Sequence, residues 1–292
     1  MLPEAALSHY RAQQRLTVAT LSLTKSAWGR VQFEDLDASW ARVSPLMVSI
    51  VSRAQLGAAR NGLVMVPAAL AQQGQSVPAE AAVDATAFAG WASDGRSLDS
   101  LLVGAKIRAK EQQSLEAGLS WLQMVAHTMV ADASRQAAQV DMFTRPRIGY
   151  VRAVNAPCCQ RCAVLAGKFS RSDVAFQRHP KCDCINVPTQ EGATHPGVVI
   201  GPGDIKDLTK AQRAAIDDGA DMNQVINSHR AGARSKNGLT TTEGATRRGV
   251  AGKALGAGRG KRAARLTPEG IYRIASDRDE ALRLLQANGY LL

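Results

Sequence analysis

The stretch Cys159-Gln-Arg-Cys162, followed by His179-Pro-Lys-Cys182-Asp-Cys184, decides how this 292-residue chain folds in its middle third. All five cysteines of the chain lie between Cys158 and Cys184. Two thiols at C-x2-C spacing reach one tetrahedral ion from a single tight turn, and a second Cys/His pair completes the coordination. The pattern therefore predicts a structural zinc site.

The spacing leaves open which four of five residues hold the ion. Cys159 and Cys162 form the first pair. Two further positions are contested, either by His179 with Cys182 or by Cys182 with Cys184. Four protein ligands leave no open coordination position, so the predicted site is structural rather than catalytic.

Two other uses of the cysteines are less consistent with the pattern. A disulfide framework needs an oxidising compartment, and residues 1–6 show no basic segment leading into an apolar run. An odd number of cysteines also leaves one thiol over, and a thioredoxin-like C-x-x-C needs no second cluster. Cys158 is expected to be a bystander beside the first ligand.

The formal net charge of +11 is carried by the second half of the chain. Residues 1–141 hold 12 Lys/Arg against 12 Asp/Glu, whereas residues 142–292 hold 24 against 13, which leaves the whole excess of 11 there. Such asymmetry favours a polyanionic partner, most simply double-stranded DNA bound without sequence preference. The alternative is a basic surface that only keeps the protein in solution.

The predicted DNA-binding residues lie in a Gly-, Ala- and Arg-rich segment, residues 230–265. A segment of this composition buries too little apolar surface to fold alone, which predicts a mobile basic arm or a loop that a partner orders. The predicted contacts are Arg247, Arg248, Lys253, Arg259, Lys261, Arg262 and Arg265.

The first half of the chain has helical periodicity. Apolar residues recur at spacings of three and four from Leu36 to Ala54 and again from Leu115 to Ala133. Asn61-Gly62 and the stretch 74–78 are expected to interrupt the helices between these seams. Charged residues break every candidate run of 18 apolar residues, so no membrane-spanning segment is expected.

The pattern changes to a short strand around residues 145–154, and this change predicts a domain boundary. The predicted fold is α+β, mostly α, with an elongated helical bundle at 1–143 and a small zinc-stabilised domain at 144–200. Residues 201–292 would hold the basic arm and a C-terminal helical hairpin. Thr267-Pro268-Glu269 predicts the start of the first helix of this hairpin, and Asn288-Gly289 predicts the end of the hairpin.

With C-x2-C ahead of H-P-x-C-x-C and Ile185–Pro188, the chain resembles the MuF-like minor head proteins of tailed bacteriophages. The segments 214–225, 240–249 and 266–272 look like those of the actinobacteriophage versions. The resemblance implies a low-copy minor capsid protein, made in the host cytoplasm and located in the virion, inside the capsid near the portal. Its implied partners are the portal protein, other head proteins and the packaged DNA, and it would act in head morphogenesis and genome packaging or delivery.

Two alternatives remain. In such phages this reading frame is sometimes labelled a capsid maturation protease, but neither G-x-S-x-G nor H-E-x-x-H is present. His195 is the least implausible base, and the conceivable nucleophiles are Ser170, Ser172 and Ser228. The second alternative is a zinc-supported DNA-binding protein or nuclease. A nuclease would need a site for a divalent ion, for which Asn227-Ser-His229 and Asp217-Asp218 are only weak hints.

Overall fold

The computed structural model describes residues 2–194, 200–246, 248–256 and 263–291. The chain divides into two compact units. Unit 1 comprises residues 1–154 and 167–198, and unit 2 comprises residues 155–166 and 199–292.

Unit 1 is built on four α-helices, with a short 3-10 turn at Ala85–Phe88. The helices are α1 (Glu4–Trp28), α2 (Leu36–Gln72), α3 (Leu98–Glu111) and α4 (Leu115–Phe143). The seams predicted for α2 and α4 are confirmed as buried stripes, and their members Met47 and Leu122 pack in one apolar core. Trp28 and Trp40 meet edge to face in this core, with ring centroids 6.0 Å apart.

A three-stranded antiparallel sheet completes unit 1. Its strands are β1 (Ile148–Ala153), β2 (Phe169–Arg171) and β3 (Ile185–Gln190), in the order β2-β1-β3. Tyr150 lies opposite Ser170 on one side and Pro188 on the other. It also packs with Met142 and Met65 in one apolar cluster. The sheet thus shares a core with the helices, whereas the sequence predicted a boundary between residues 143 and 144.

Helix α2 runs without a break through Asn61-Gly62, so the interruption predicted there was wrong. Gly62 serves a close approach instead. A Cβ at this position would lie 2.5 Å from the carbonyl oxygen of Ser134 on α4. The glycine therefore lets two helix backbones meet, and it does not end a helix.

Unit 2 consists of short elements. They are α5 (Gln160–Ala163), a 3-10 turn (Pro202–Asp204), α6 (Lys210–Asp217), α7 (Met222–Asn227), β4 (Thr240–Thr241), α8 (Val250–Ala254), β5 (Arg265–Leu266), α9 (Pro268–Ile274) and α10 (Arg278–Ala287). Strands β4 and β5 pair antiparallel. Val225, Ile271, Leu285 and Tyr290 form the centre of its core.

Side-chain caps fix the ends of the unit 2 helices. Thr209 and Gln212 form a capping box at α6. Thr267 caps α9, with Pro268 at the first helical position, and α10 ends just before Asn288, as the sequence predicted. These caps satisfy backbone N–H groups that a helix start leaves without partners.

The prediction of an unstructured arm at 230–265 is corrected for the part of it that the structure describes. Strand β4, helix α8 and strand β5 all lie in this range. Ala245 and Ala251 are fully buried, and Thr242 N donates to Ala233 O. The small residues that suggested disorder permit close packing here, and a Cβ on Gly252 would overlap Thr246 O.

The described chain is α+β and mostly α-helical, as predicted. None of the helices in the described ranges combines the length and apolarity needed to cross a bilayer.

Candidate metal centre

The first cysteine pair is set by helix α5. Cys159 is the N-cap residue, and its Sγ accepts a hydrogen bond from the backbone N–H of Cys162 at 3.4 Å. Cys159 O also accepts from Ala163 N at 3.0 Å. The C-x2-C spacing is therefore one capped helical turn, which places both thiols at the start of α5.

A tight turn sets the second group. Cys182 N donates to His179 O at 3.1 Å, and Lys181 between them has a positive φ of 61°. Cys182 and Cys184 are each 1% exposed, whereas His179 is only partly buried. His179 Nδ1 lies 2.8 Å from Pro180 O. Because a carbonyl only accepts, Nδ1 carries the proton, and in the neutral ring Nε2 keeps the lone pair that a metal needs.

The ligand atoms of the motif come together in two overlapping groups. One consists of Cys159, Cys162 and His179, and the other of Cys162, Cys182 and Cys184. Within each group the ligand atoms lie within 4.8 Å of one another, and Cys162 belongs to both. The five cysteines, all within the described residues, form no disulfide. The cluster can therefore hold a metal ion.

Helix α4 holds the backbone of the second group. Arg135 Nη1 donates to Cys182 O at 3.0 Å and to Cys184 O at 2.9 Å. Lys181 N donates to Thr128 Oγ1, also on α4, at 3.1 Å. Sequence reasoning missed this support. The available signal was a charged pair at i,i+3 spacing, Asp132 and Arg135, at the end of the apolar seam of α4.

The charge of Arg135 is balanced inside unit 1. Its Nη2 lies 2.6 Å from Asp132 Oδ1, and the two side chains are 4% and 7% exposed. Arg178 Nη2 lies 2.6 Å from the other oxygen of Asp132, and Ser93 Oγ donates to that oxygen at 3.1 Å. Asn186 Nδ2 donates to Arg135 O at 3.0 Å. Buried charges are tolerated when they are paired and hydrogen-bonded in this way.

Helix α1 contacts the same turn from its own side. Tyr10 Oη donates to Asp183 Oδ2 at 2.9 Å, and Gln14 Nε2 donates to Tyr10 Oη at 2.9 Å. Asp183, the residue between the two buried cysteines, is thus fixed as well. The second group of ligands is therefore seated on α1 and α4.

The predicted DNA-binding residues have different positions. Arg248 and Lys253 are exposed. Four of the seven predicted residues lie outside the described ranges: Arg247, Arg259, Lys261 and Arg262.

The prediction that Arg265 contacts DNA is corrected, because this residue lies inside unit 2 with 1% of its surface exposed. Its guanidinium donates to Asn288 O at 3.1 Å and to Gln224 Oε1 at 3.2 Å. It also sits 4.4 Å from the ring centroid of Tyr290, and burial lowers its pKa. A side chain engaged in this way holds β5 and the end of α10 together and is not presented to a phosphate.

A histidine–carboxylate pair in unit 2 was not predicted. His229 Nε2 lies 2.7 Å from Glu269 Oε2, and Thr209 Oγ1 donates to Glu269 Oε1 at 2.6 Å. Burial would raise the pKa of Glu269, but the hydrogen bonds from His229 and Thr209 outweigh it and lower the pKa to about 2. Ser228 beside this pair is fully buried and donates to Val225 O at 2.6 Å. His195 lies outside the described residues.

Helices α1 and α4 thus hold the turn that carries Cys182, Asp183 and Cys184. No protein-family model matches the chain, and neither a curated protein nor a solved structure matches it significantly.

Proposed function

We propose that the chain is a MuF-like minor head protein of a tailed bacteriophage, with a zinc ion as a structural element of its fold. The observation that carries the proposal is the gathering of all five Cys and His residues of the motif into two overlapping ligand groups. A chance match of the motif would not be expected to place ligand atoms close together when their residues are 20 positions apart in sequence. The resemblance supplies the biological setting, and the cluster supports the part of it that depends on the motif.

The donor set fits zinc. Thiolate and imidazole are the ligands of structural zinc sites, with Zn–S bonds of about 2.3 Å in tetrahedral geometry. Two ligand atoms of one ideal tetrahedron then lie about 3.8 Å apart, so separations within 4.8 Å need only a small contraction. When bound, the ion would join segments that are distant in sequence. The burial of Cys162, Cys182 and Cys184 agrees with a closed, structural role.

The metal content of the purified full-length protein tests this part. We expect about one zinc per chain by elemental analysis. Cys159→Ser or Cys162→Ser should release the ion and expose the region to protease. Cys158→Ser is the matched control, because Cys158 adjoins Cys159 yet belongs to neither ligand group. Loss of zinc in the control and in Cys159→Ser alike would contradict the site, as would native protein with its thiols in disulfides.

The head location needs a separate test. Quantitative mass spectrometry of purified virions of the encoding phage should find the chain at few copies per capsid. It should remain with intact heads after external protease treatment, because the capsid shell would enclose it. Absence of the chain from virions that are otherwise complete would overturn the proposed function and leave the metal centre unaffected.

A contact with packaged DNA is the second element of the proposal. It is supported by the excess of 11 positive charges in residues 142–292 and by the exposure of Arg248 and Lys253. Basic side chains in a segment rich in Gly and Ala can contact successive phosphates, but such a segment lacks the rigid frame that reading base edges requires. The expected binding is therefore insensitive to DNA sequence and weakens with salt.

The alternative of a capsid maturation protease is favoured by one observation, the His229–Glu269 pair. A histidine oriented by a carboxylate is two thirds of the group that a serine protease uses. The neighbouring Ser228, however, is fully buried and donates its hydroxyl proton to Val225 O. Shell-protein cleavage in co-expressed heads distinguishes the two functions. Cleavage that disappears with His229→Gln would establish the protease, and unchanged cleavage would exclude a role for this pair.

A further inference from the structure

The backbone carbonyls of the two buried cysteines accept hydrogen bonds from one side chain, that of Arg135. Arg135 Nη1 bonds the carbonyl oxygens of both Cys182 and Cys184, at 3.0 and 2.9 Å. Cys182 and Cys184 are separated by one residue, and their two carbonyl oxygens are brought to one donor atom. This fixes the backbone on both sides of Asp183, and with it the positions from which the two thiols project. Their Sγ atoms do lie within 4.8 Å of each other.

We propose that Arg135 is a positioning residue of the metal centre, which presents Cys182 and Cys184 as ligands before any ion binds. This inference rests on the metal centre of the proposed function. Of the two pairings that the sequence left open, it favours Cys182 with Cys184, because Arg135 holds the backbone of both residues of that pair. His179 lies outside this attachment and is only partly buried.

The attachment is built from groups that are not ligands. Asp132 holds Arg135 Nη2, and Arg178 and Ser93 hold Asp132 in turn. Asn186 bonds the backbone carbonyl of Arg135, which fixes the start of β3 to the same turn of α4. The position of the two cysteines is thus set by a buried helix and would persist without the ion. Preorganised ligands bind more tightly because less ordering is left for the binding step.

Arg135→Met in the full-length protein isolates this role. Methionine keeps an unbranched apolar stem but cannot donate to the two carbonyls. Asp132 remains paired, because Arg178 lies 2.6 Å from it. Affinity for Co²⁺, measured by its visible absorption, and for Zn²⁺, measured by competition with a chelator, should fall about 10- to 100-fold, the usual effect of losing an outer-shell partner. The thiolate-to-cobalt absorption per bound ion should be unchanged at saturation.

Arg145→Met is the matched control. Arg145 is also a nearly buried arginine, bound to Asp141 at 2.9 Å and to the carbonyl of Val77, but it touches neither cysteine. Metal affinity in this variant should stay within about twofold of wild type, even if its thermal stability falls. An equal loss of affinity in both variants would overturn the positioning role, because the effect would then follow general destabilisation.

Two further outcomes complete the test. Arg135→Lys keeps the charge beside Asp132 but loses the fork that serves three acceptors, so its affinity should fall between wild type and Arg135→Met. If Arg135→Met loses its helical circular dichroism, Arg135→Lys carries the comparison alone. Wild-type affinity in these variants overturns the positioning role only, whereas a wild-type protein that binds neither metal overturns the metal centre itself.

Discussion

His9 on α1 and Ser134 on α4 form a buried polar contact, with Nε2 and Oγ 3.1 Å apart. His9 is 6% exposed, and burial lowers its pKa from 6.5 to about 4. The ring is therefore neutral in the folded protein near pH 7 and becomes charged only in distinctly acidic solution. A substrate has no access to this pair, so the contact belongs to the packing of unit 1.

This contact predicts acid sensitivity of unit 1 between pH 6.5 and about 4. The unfolded histidine binds a proton near pH 6.5 and the folded one only near pH 4. Between these values the unfolded state holds more protons, so stability falls as the pH is lowered through the window. At about 1.4 kcal/mol per pKa unit, the loss is about 3 kcal/mol across it. Urea unfolding at several pH values measures it.

His9→Gln is the variant for comparison, because an amide can keep the bond to Ser134 without titrating. The difference in unfolding free energy between wild type and His9→Gln should change across pH 6.5 to 4 by about 3 kcal/mol. Protonation of other groups, including the cysteine ligands, cancels in this difference. A difference that stays constant with pH would show that His9 does not titrate with folding.

The two candidate ligands that the sequence left open should respond unequally to substitution. Cys184 is 1% exposed and its carbonyl is bound by Arg135, whereas His179 is partly exposed. We therefore expect Cys184→Ser to weaken Co²⁺ binding more than 100-fold, roughly, and His179→Ala to weaken it by less than about 10-fold. Thiolate absorption per cobalt should fall in the first variant only. The reverse order would assign His179 with Cys182 to the ion.

Removal of the positive charges of Arg248 and Lys253, the exposed members of the predicted DNA-binding set, tests the DNA contact. On duplex DNA each neutralised phosphate contributes about 0.9 to the slope of log affinity against log salt. Arg248→Gln with Lys253→Gln should therefore lower the slope by up to about 1.8. Arg265→Gln serves as the comparison, since its buried guanidinium should affect stability and leave the slope unchanged. A double variant with an unaltered slope would exclude these two residues from the contact.

The sequence was informative wherever a local pattern decides the structure. The seams of α2 and α4, strand β1 and the cap at Thr267 follow from periodicity and from side chains that bond their own backbone. The cysteine motif is equally local, because two ligands from one turn need only the right spacing. These features were predicted because few distant residues take part in them.

Contacts between distant residues were not predictable in the same way. Arg135 and Cys184 are 49 positions apart, and only the packing of a turn on α4 brings them together. His229 meets Glu269 across 40 positions for the same reason. The composition of the segment around Arg265 predicted a solvent-exposed cation, but three neighbours in the fold enclose this side chain. Composition predicts average exposure, and the particular acceptors near one side chain decide the exception.

Gly62 illustrates the same limit and carries the last prediction. Replacing a glycine inside a helix with alanine normally stabilises the helix by up to about 1 kcal/mol. At Gly62 the new Cβ would lie 2.5 Å from the backbone oxygen of Ser134, which cannot move without shifting α4. Gly62→Ala should therefore destabilise the protein by about 1–3 kcal/mol, the usual cost of overpacking.

Gly57, five residues earlier on α2, is the matched control. A Cβ there would meet Leu16 Cδ2 at 3.6 Å, an ordinary van der Waals contact. Gly57→Ala should leave stability unchanged or raise it by up to about 1 kcal/mol. Thermal unfolding of the two variants under identical conditions should thus move in opposite directions. If Gly62→Ala were as stable as Gly57→Ala, the backbones of α2 and α4 would leave room for a Cβ at residue 62, which would contradict the close approach to Ser134.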